Sequence, residues 1–415
     1  MVAVPLIRHI HEQRHIFFAT RLKIAYCIPM EKKSLFLPKN IIRTQYFLYF
    51  GVMGVFLPYF NLYCFHLHFT GFQIGLLSAA KTVAMIIFPL MWGALADRFN
   101  ARKSIYILCN IASTAVWALF LGTTDFVMML GITLLYGVFY APIISLLEAF
   151  TLDALGKEKN RYGQLRAWGS ISFIVVVFSI GRLMDSYPVS IIVPLILCGS
   201  FLQAFGSLKI PHAPISKPLS KRSPIRLLLK PKIIIFLMCG FLMLVSHGAY
   251  YGFFSIHLEK LGYDKTFIGL AWALASISEI LVMIKSDTLF KRFDLETVLF
   301  FSFGVATLRW LILFSARAWP VLLLSQLLHA ITYGTFHMAS ILYIDRMMPD
   351  GAKSLGQAAN NAMTYGMGLM VGFLLSGYLY GKTGIFTLFA VNGGIALAAG
   401  LIFKCLNITG REGGN

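Results

Sequence analysis

The chain reads as an all-α integral membrane protein, with twelve transmembrane helices in two pseudo-symmetric six-helix bundles. Three observations predict this. First, 58% of the 415 residues are apolar and only 13% charged, whereas soluble chains are about half apolar and a quarter charged; the mean hydropathy is +0.75. Second, apolar runs near the ~20 residues that cross a bilayer recur along the whole chain. Third, the second half of the chain repeats the first at an almost constant offset.

Taken in order, the predicted spans are 43–66, 72–96, 103–122, 126–152, 163–184 and 189–208, then 233–258, 266–285, 296–315, 319–346, 355–380 and 384–405. Residues 1–42 form a basic tail ahead of the first bundle (43–208). Residues 209–232, rich in proline and lysine, read as a linker to the second bundle (233–405), and 406–415 as a short C-terminal tail. The first tail has no apolar core with a cleavage site, so it is not a signal peptide. "MEKKSLFLPKN", beginning at Met30, is a natural start for the expressed chain; a longer basic tail would instead rest on anionic lipid.

Lysine and arginine set the orientation. Of the 36, Lys81, Arg166 and Arg309 lie within spans. Arg182, Lys260, Lys265, Arg317 and Lys382 lie on one face, and the other 28 on the opposite one. That basic face, with both termini, is expected to be cytoplasmic in a bacterial inner membrane. The net charge of +19 is thus a topology signal and predicts no nucleic-acid partner. The six cysteines (Cys27, Cys64, Cys109, Cys198, Cys239, Cys405) are scattered without paired spacing. They read as packing residues, and no metal or cofactor is expected.

A shift of 194 lays "GVFLPYF" (54–60) on "GAYYGFF" (248–254), Ile74-Gly75 on Ile268-Gly269, and Asp97-Arg98-Phe99 on Lys291-Arg292-Phe293. A shift of 197 pairs Glu148 with Asp345. Internal repeats with the solute site at their interface are how many secondary transporters are built.

Charges inside spans point to function, because each costs at least about 2.5 kcal/mol at the bilayer centre. Glu148 and Arg166 are equidistant from residue 157, the middle of the loop between spans 4 and 5. In an antiparallel hairpin they lie at one depth and can face each other. A solute site and a structural clamp satisfy that geometry equally. Phe173, seven residues beyond Arg166, shares its helical face and suits a flat ring or a sugar face. Lys81 is too deep to snorkel easily and would meet a solute carboxylate, Glu148 or another span. Arg309 and His329 lie ten residues either side of residue 319, hence near mid-membrane, with Glu279 at similar depth. A carboxylate, an imidazole and a guanidinium at one level can couple protons or lock helices together. His247, His337, Asn360 and Asn361 read as interhelical hydrogen-bonding groups. No GxSxG, HExxH, CxxC or P-loop is present, so neither an enzyme nor an ATP-driven pump is supported.

"GALADRFNARK" (93–103) resembles the signature of the major facilitator superfamily, with Gly93, Asp97, Arg98 and Arg102 on its glycine, aspartate and basic positions. Asn100 stands where the signature has glycine, and asparagine tolerates left-handed backbone; Ala101 replaces a usual basic residue. The resemblance implies a conformational gate in which Asp97 caps a helix or pairs across the domain interface when the outside is open. "HGAYYGFFSIHLEKLGY" (247–263), "RYGQLRAWGSISF" (161–173), "LRW" (308–310) and "QLLHAITYGTFH" (326–337) resemble the phenylpropionate permease family. The lactose permease (oligosaccharide:proton symporter) group is more distantly similar. There the sugar-binding glutamate and arginine fall on Glu148 and Arg166, the stacking aromatic on Phe173, and the coupling arginine and histidine on Arg309 and His329. That group's glutamate after the histidine is Thr332 here, which leaves Glu279 as the coupling carboxylate.

The expectation is a monomeric secondary transporter that moves a small organic solute by alternating access in symport with protons. Glu148, Arg166, Phe173 and Lys81 would bind an aromatic carboxylate, and Glu279, Arg309 and His329 would couple the proton. A sugar or nucleoside symporter is the alternative, and a non-transporting sensor on the same fold is the rival of another class. An exporter is disfavoured, since Ser179-Ile180-Gly181-Arg182 lacks the antiporters' glycine-proline pair. The charge count predicts that green fluorescent protein fused to the C-terminus fluoresces while alkaline phosphatase there is inactive; active phosphatase would reverse the topology.

Overall fold

The computed structural model describes residues 36–156, 158, 161–211 and 225–412. The expected start at Met30, most of the N-terminal tail and the centre of the linker lie outside the described residues. Helices α1 (Phe36–His66), α2 (Gly71–Arg98), α3 (Arg102–Ala118), α4 (Phe126–Leu155), α5 (Tyr162–Met184) and α6 (Ile192–Ser207) come first. They are followed by α7 (Pro231–Lys260), α8 (Lys265–Ile284), α9 (Leu295–Ser315) and α10 (Trp319–Met347). The last apolar stretch, Asp350–Cys405, runs 56 residues. As one helix it would reach about 84 Å, against roughly 30 Å of hydrocarbon. Gly384, at φ 77 and ψ 173, breaks it into α11 (353–383) and α12 (385–412). Only glycine adopts that conformation without strain. The twelve expected spans are therefore all present.

Local sequence sets the helix starts. Thr70 and Gln73 form a capping box on α2, and Asp125, Asp264 and Asp294 accept from the first-turn amides of α4, α8 and α9. Thr70 and Asp264 are related by the 194-residue shift, as are Asn100 and Asp294. Asn100 takes φ 50, the left-handed turn for which asparagine suffices. Two helices depart from regular α geometry. Ala330–Thr335 in α10 and Asn361–Gly368 in α11 are π-helical. The Thr335 hydroxyl donates to the Ala330 carbonyl at 3.0 Å, which satisfies an acceptor inside the widened turn.

Glycines show how the repeats pack. A Cβ on Gly54 would stand 3.1 Å from the Phe173 carbonyl oxygen of α5, and its repeat partner Gly248 lies directly on Gly372 of α11. Between the bundles the pattern repeats with the halves exchanged. Gly75 of α2 abuts the Phe373 carbonyl of α11, and its partner Gly269 of α8 abuts the Val177 carbonyl of α5. Such approaches are the small-residue packing expected between membrane helices.

Outer and inner are used below as the charge count assigns them, with the α1–α2 turn outer. At the outer end, polar contacts join the two bundles. His66 of α1 places Nε2 2.9 and 3.0 Å from the Glu259 oxygens of α7. Asp185, at the end of α5, accepts from the α8 amides of Lys265 (2.9 Å) and Thr266 (3.4 Å). At the inner end, the ion pairs Arg102–Asp153 (2.5 Å), Arg102–Asp97 (3.5 Å), Lys353–Asp345 (3.0 Å) and Arg346–Glu296 each stay within one bundle. Gly248→Val drives a branched side chain into the Gly372 backbone and is expected to cost about 1–3 kcal/mol. Thermal unfolding in detergent should register that loss. Gly304→Ala, with nothing within 4 Å, should melt at or slightly above the parent temperature.

Candidate functional site

In the first bundle, Arg166 sits one turn into α5 and lays its guanidinium on the Phe50 ring of α1, Cζ 3.8 Å from the centroid. Gly169 makes room for this stack: a Cβ there would stand 2.5 Å from the Phe50 ring and 3.0 Å from Arg166 Nη1. Glu148 accepts a hydrogen bond of 3.3 Å from the Tyr162 hydroxyl. Glu148 and Arg166 interact electrostatically, yet among the described residues they do not come within ion-pair distance of each other. The expected face-to-face pair is therefore corrected to two half-buried charges, Arg166 held by Phe50 and Glu148 by Tyr162. Lys81 lies over Phe56 of α1, Nζ 3.3 Å from the centroid, and not on Glu148. Phe173 is half-buried, with its ring packed on the hydrophobic core and its backbone against Gly54.

The second bundle locks its cation more firmly. Arg309 of α9 is fully buried. Its Nε donates to the Ser325 carbonyl (3.0 Å), Nη2 to Gln326 Oε1 (3.0 Å), and Nη1 to Thr332 Oγ1 (3.3 Å). Nη1 also lies 2.9 Å from His329 Nδ1. Its Cζ stands 4.2 Å over the Tyr250 ring, and the Tyr250 hydroxyl donates to the same Gln326 oxygen at 3.0 Å. Arginine only donates, so His329 Nδ1 must accept, and the imidazole proton sits on Nε2. That Nε2 faces Glu279 Oε2 at 4.0 Å.

Glu279 therefore ends a chain of fixed donors, its side chain 23% exposed. It interacts electrostatically with Tyr250, Tyr251, Tyr333 and Tyr365, and with Arg166 of the other bundle. Along α10 the rings of His329, Tyr333 and His337 stack, at 5.3 Å and then 6.1 Å between centroids. His337 Nδ1 lies 2.6 Å from the Tyr365 hydroxyl of α11. The π-helical turns in α10 and α11 thus carry the aromatic wall beside Glu279. His247, expected to bond between helices, instead has Nδ1 2.8 Å from the Met243 carbonyl one turn back in its own helix α7.

The signature loop lies apart from this site. Asp97 pairs with Arg102 of its own bundle, Arg98 lies over Phe99 at 5.5 Å, and Gly93 has nothing within 4 Å of a built Cβ. Arg292 over Phe293, at 5.7 Å, copies the Arg98 contact in the second bundle. Sequence reasoning missed Gln326, Tyr250 and Thr332 as the partners of Arg309. The available signal was the run Gln326, His329, Thr332, whose three-residue spacing puts uncharged polar groups on one helical face.

The sequence profile of the MFS_1 like family matches residues 40–391. The chain is 28% identical over 346 residues to the probable 3-phenylpropionic acid transporter of Escherichia coli (strain K12), spanning 81% of this chain and 89% of that one. It is 24% identical over 345 residues to the maltose permease of Geobacillus stearothermophilus, spanning 82% and 87%. The crystal structure of the nucleoside transporter NupG shares the fold, with a TM-score of 0.80 at 19% identity over 89% of this chain and 98% of that one.

Gln326→Leu removes the acceptor shared by Arg309 and Tyr250 and leaves two buried donors unpaired. The expected cost is at least about 2 kcal/mol, read as a lower unfolding temperature in detergent. Gln326→Glu keeps the acceptor beside the guanidinium and should recover most of that loss.

Proposed function

The chain belongs to the MFS_1 like family, and from that premise we propose that this major facilitator transporter carries a small aromatic carboxylate by alternating access, together with a proton. The observation that carries the proposal is that Glu279 of the second bundle, faced by His329 at 4.0 Å, interacts electrostatically with Arg166 of the first bundle and with Tyr333 and Tyr365. A solute carboxylate between the bundles takes Arg166 as its counter-ion, with Lys81 adding positive charge from α2. The ring of the solute lies against Tyr333 and Tyr365, where offset or edge contacts between aromatic rings are favourable. The 3-phenylpropionic acid named for the Escherichia coli relative has this form, a flat ring on a short arm ending in a carboxylate.

Glu279 is the proton carrier in this reading. His329 and Arg309 act as positioning residues: Arg309 holds Nδ1 as an acceptor, so His329 keeps its Nε2 proton directed at Glu279. A protonated Glu279 leaves Arg166 to the solute; an ionised one competes for the same cation. Solute and proton are thereby linked through one guanidinium. With the inner face taken as cytoplasmic, the closed outer contacts support reading this state as inward-facing. Glu148, hydrogen-bonded to Tyr162, supports a second reading, a nucleoside or sugar, because a carboxylate beside a phenol suits ribose or hexose hydroxyls.

Liposomes with a pH-sensitive dye inside test both readings, compared with protein-free liposomes because an aromatic acid also crosses lipid in its neutral form. Protein-dependent acidification with aromatic acids, abolished by Glu279→Gln, is the expected result. Arg166→Ala should weaken apparent affinity roughly ten- to hundredfold, as loss of a charge-assisted contact does. Acidification with nucleosides or sugars alone would establish the second reading. Uptake of labelled solute without any pH change would remove the proton from the mechanism.

A further inference from the structure

The polar contacts that close the outer end are concentrated at two places, and one of them has an unusual form. Asp185 terminates α5 in the first bundle. Its Oδ1 accepts from the backbone N–H of Lys265 at 2.9 Å and of Thr266 at 3.4 Å, and its Oδ2 accepts from the Thr266 hydroxyl. These are the first free donors of α8, a 20-residue helix of the second bundle. The carboxylate therefore acts as an N-cap supplied from across the interface, placed where the helix dipole favours an anion. The charges around it are Arg182 of its own helix, with Nη1 at 3.8 Å and its side chain 75% exposed, and Lys265, whose Nζ is turned to Glu259 at 2.8 Å.

What makes this a conformational contact is that α8 already has its own cap. Asp264 accepts from the Phe267 amide at 2.7 Å. The helix keeps that cap if α5 moves away, so release of Asp185 does not unravel it. Beside the cap, Gly181 lies against the Lys265 carbonyl, and Gly269 has the Val177 carbonyl 2.6 Å from a built Cβ. The Tyr59 hydroxyl of α1 reaches the same place, 2.7 and 2.8 Å from Cβ positions on Gly181 and Gly269, and donates to the Val177 carbonyl at 2.7 Å, a polar contact at the seam inward of the Asp185 cap. The matching place in the other seam, between α2 and α11, has Gly377 on the Gly71 carbonyl and continues to Gly381 and Lys382, with no carboxylate.

We propose that Asp185 is an outer latch: a cap lent by α5 to α8 that is made only while the outer ends are together and sets the ratio of outer-closed to outer-open molecules. His66–Glu259 closes the α1–α7 side of the same end. The proposal rests on alternating access but not on the identity of the solute.

The test is a distance measurement on the full chain in lipid nanodiscs, without solute or gradient. Spin labels are attached at Thr124→Cys and Ala318→Cys, exposed outer positions on opposite bundles, with Cys27, Cys198 and Cys405 replaced by serine. Asp185→Ala should raise the population at longer outer distance about tenfold, since loss of a charged cap is of that order, and Asp185→Asn by less. Asp264→Asn, which keeps a capping oxygen on the resident side and removes only its charge, should leave the distribution in place. A folded Asp185→Ala protein with the parent distribution would overturn the latch, and so would equal opening by Asp264→Asn. Solute specificity does not enter the readout, so a failed latch leaves the proposed function standing, and the reverse holds as well.

Discussion

A cation placed in hydrocarbon must find partners within reach of its own helix, and each bundle meets that demand at the same place. Phe56 and Tyr250 are related by the internal repeat, and each ring carries a cation, Lys81 at 3.3 Å and Arg309 at 4.2 Å. The two cations come from unrelated positions on α2 and α9. The shared constraint is the ring face, whose quadrupole stabilises positive charge without adding a counter-ion. Much of the second bundle's interior follows from it. Arg309 needs four further acceptors; α10 supplies them from Ser325, Gln326, His329 and Thr332, and His329 turns its remaining proton to Glu279.

The bundles thus divide the work unequally. In the second, charge is fixed by a closed network of short hydrogen bonds. In the first, Arg166 rests on the Phe50 ring at 3.8 Å with Tyr46 at 5.7 Å, and Glu148 on one phenol, both half-buried. A locked group is suited to holding geometry; a loosely held one can exchange partners. That difference is the physical basis for assigning binding to Arg166 and positioning to Arg309.

The fold was largely legible because the bilayer imposes length, and length survives in a sequence as apolar runs. Even the α11–α12 boundary appears in the sequence, near Gly384, where the described backbone turns. Depth was legible too: counting from the turn placed Glu148 and Arg166 within electrostatic reach. What counting could not supply is rotation about the helix axis, or the arrival of a third helix. Phe50 of α1 occupies the face of Arg166 that was assigned to Glu148. Gln326 went unnoticed since an uncharged amide in a span raises no alarm, though it joins Arg309 to Tyr250. The π-helical turns left no compositional mark at all. Asp185 gave no signal in the sequence, because its partner belongs to a helix some eighty positions away.

The single-residue break at Gly384 has a mechanical consequence. On one side of it, α11 meets the first bundle through Gly377 and Phe373; on the other, α12 packs on α9, with Gly400 against Phe303 and Gly393 against Leu311. A loop of several residues would absorb a tilt of α11 by changing its own shape. One glycine has no such slack, so torque applied at the seam with α2 passes into α12 and on to α9, the helix that carries Arg309. In an alternating-access cycle the hairpin would act as a crank, coupling motion at the interface between bundles to the helix that holds the buried cation.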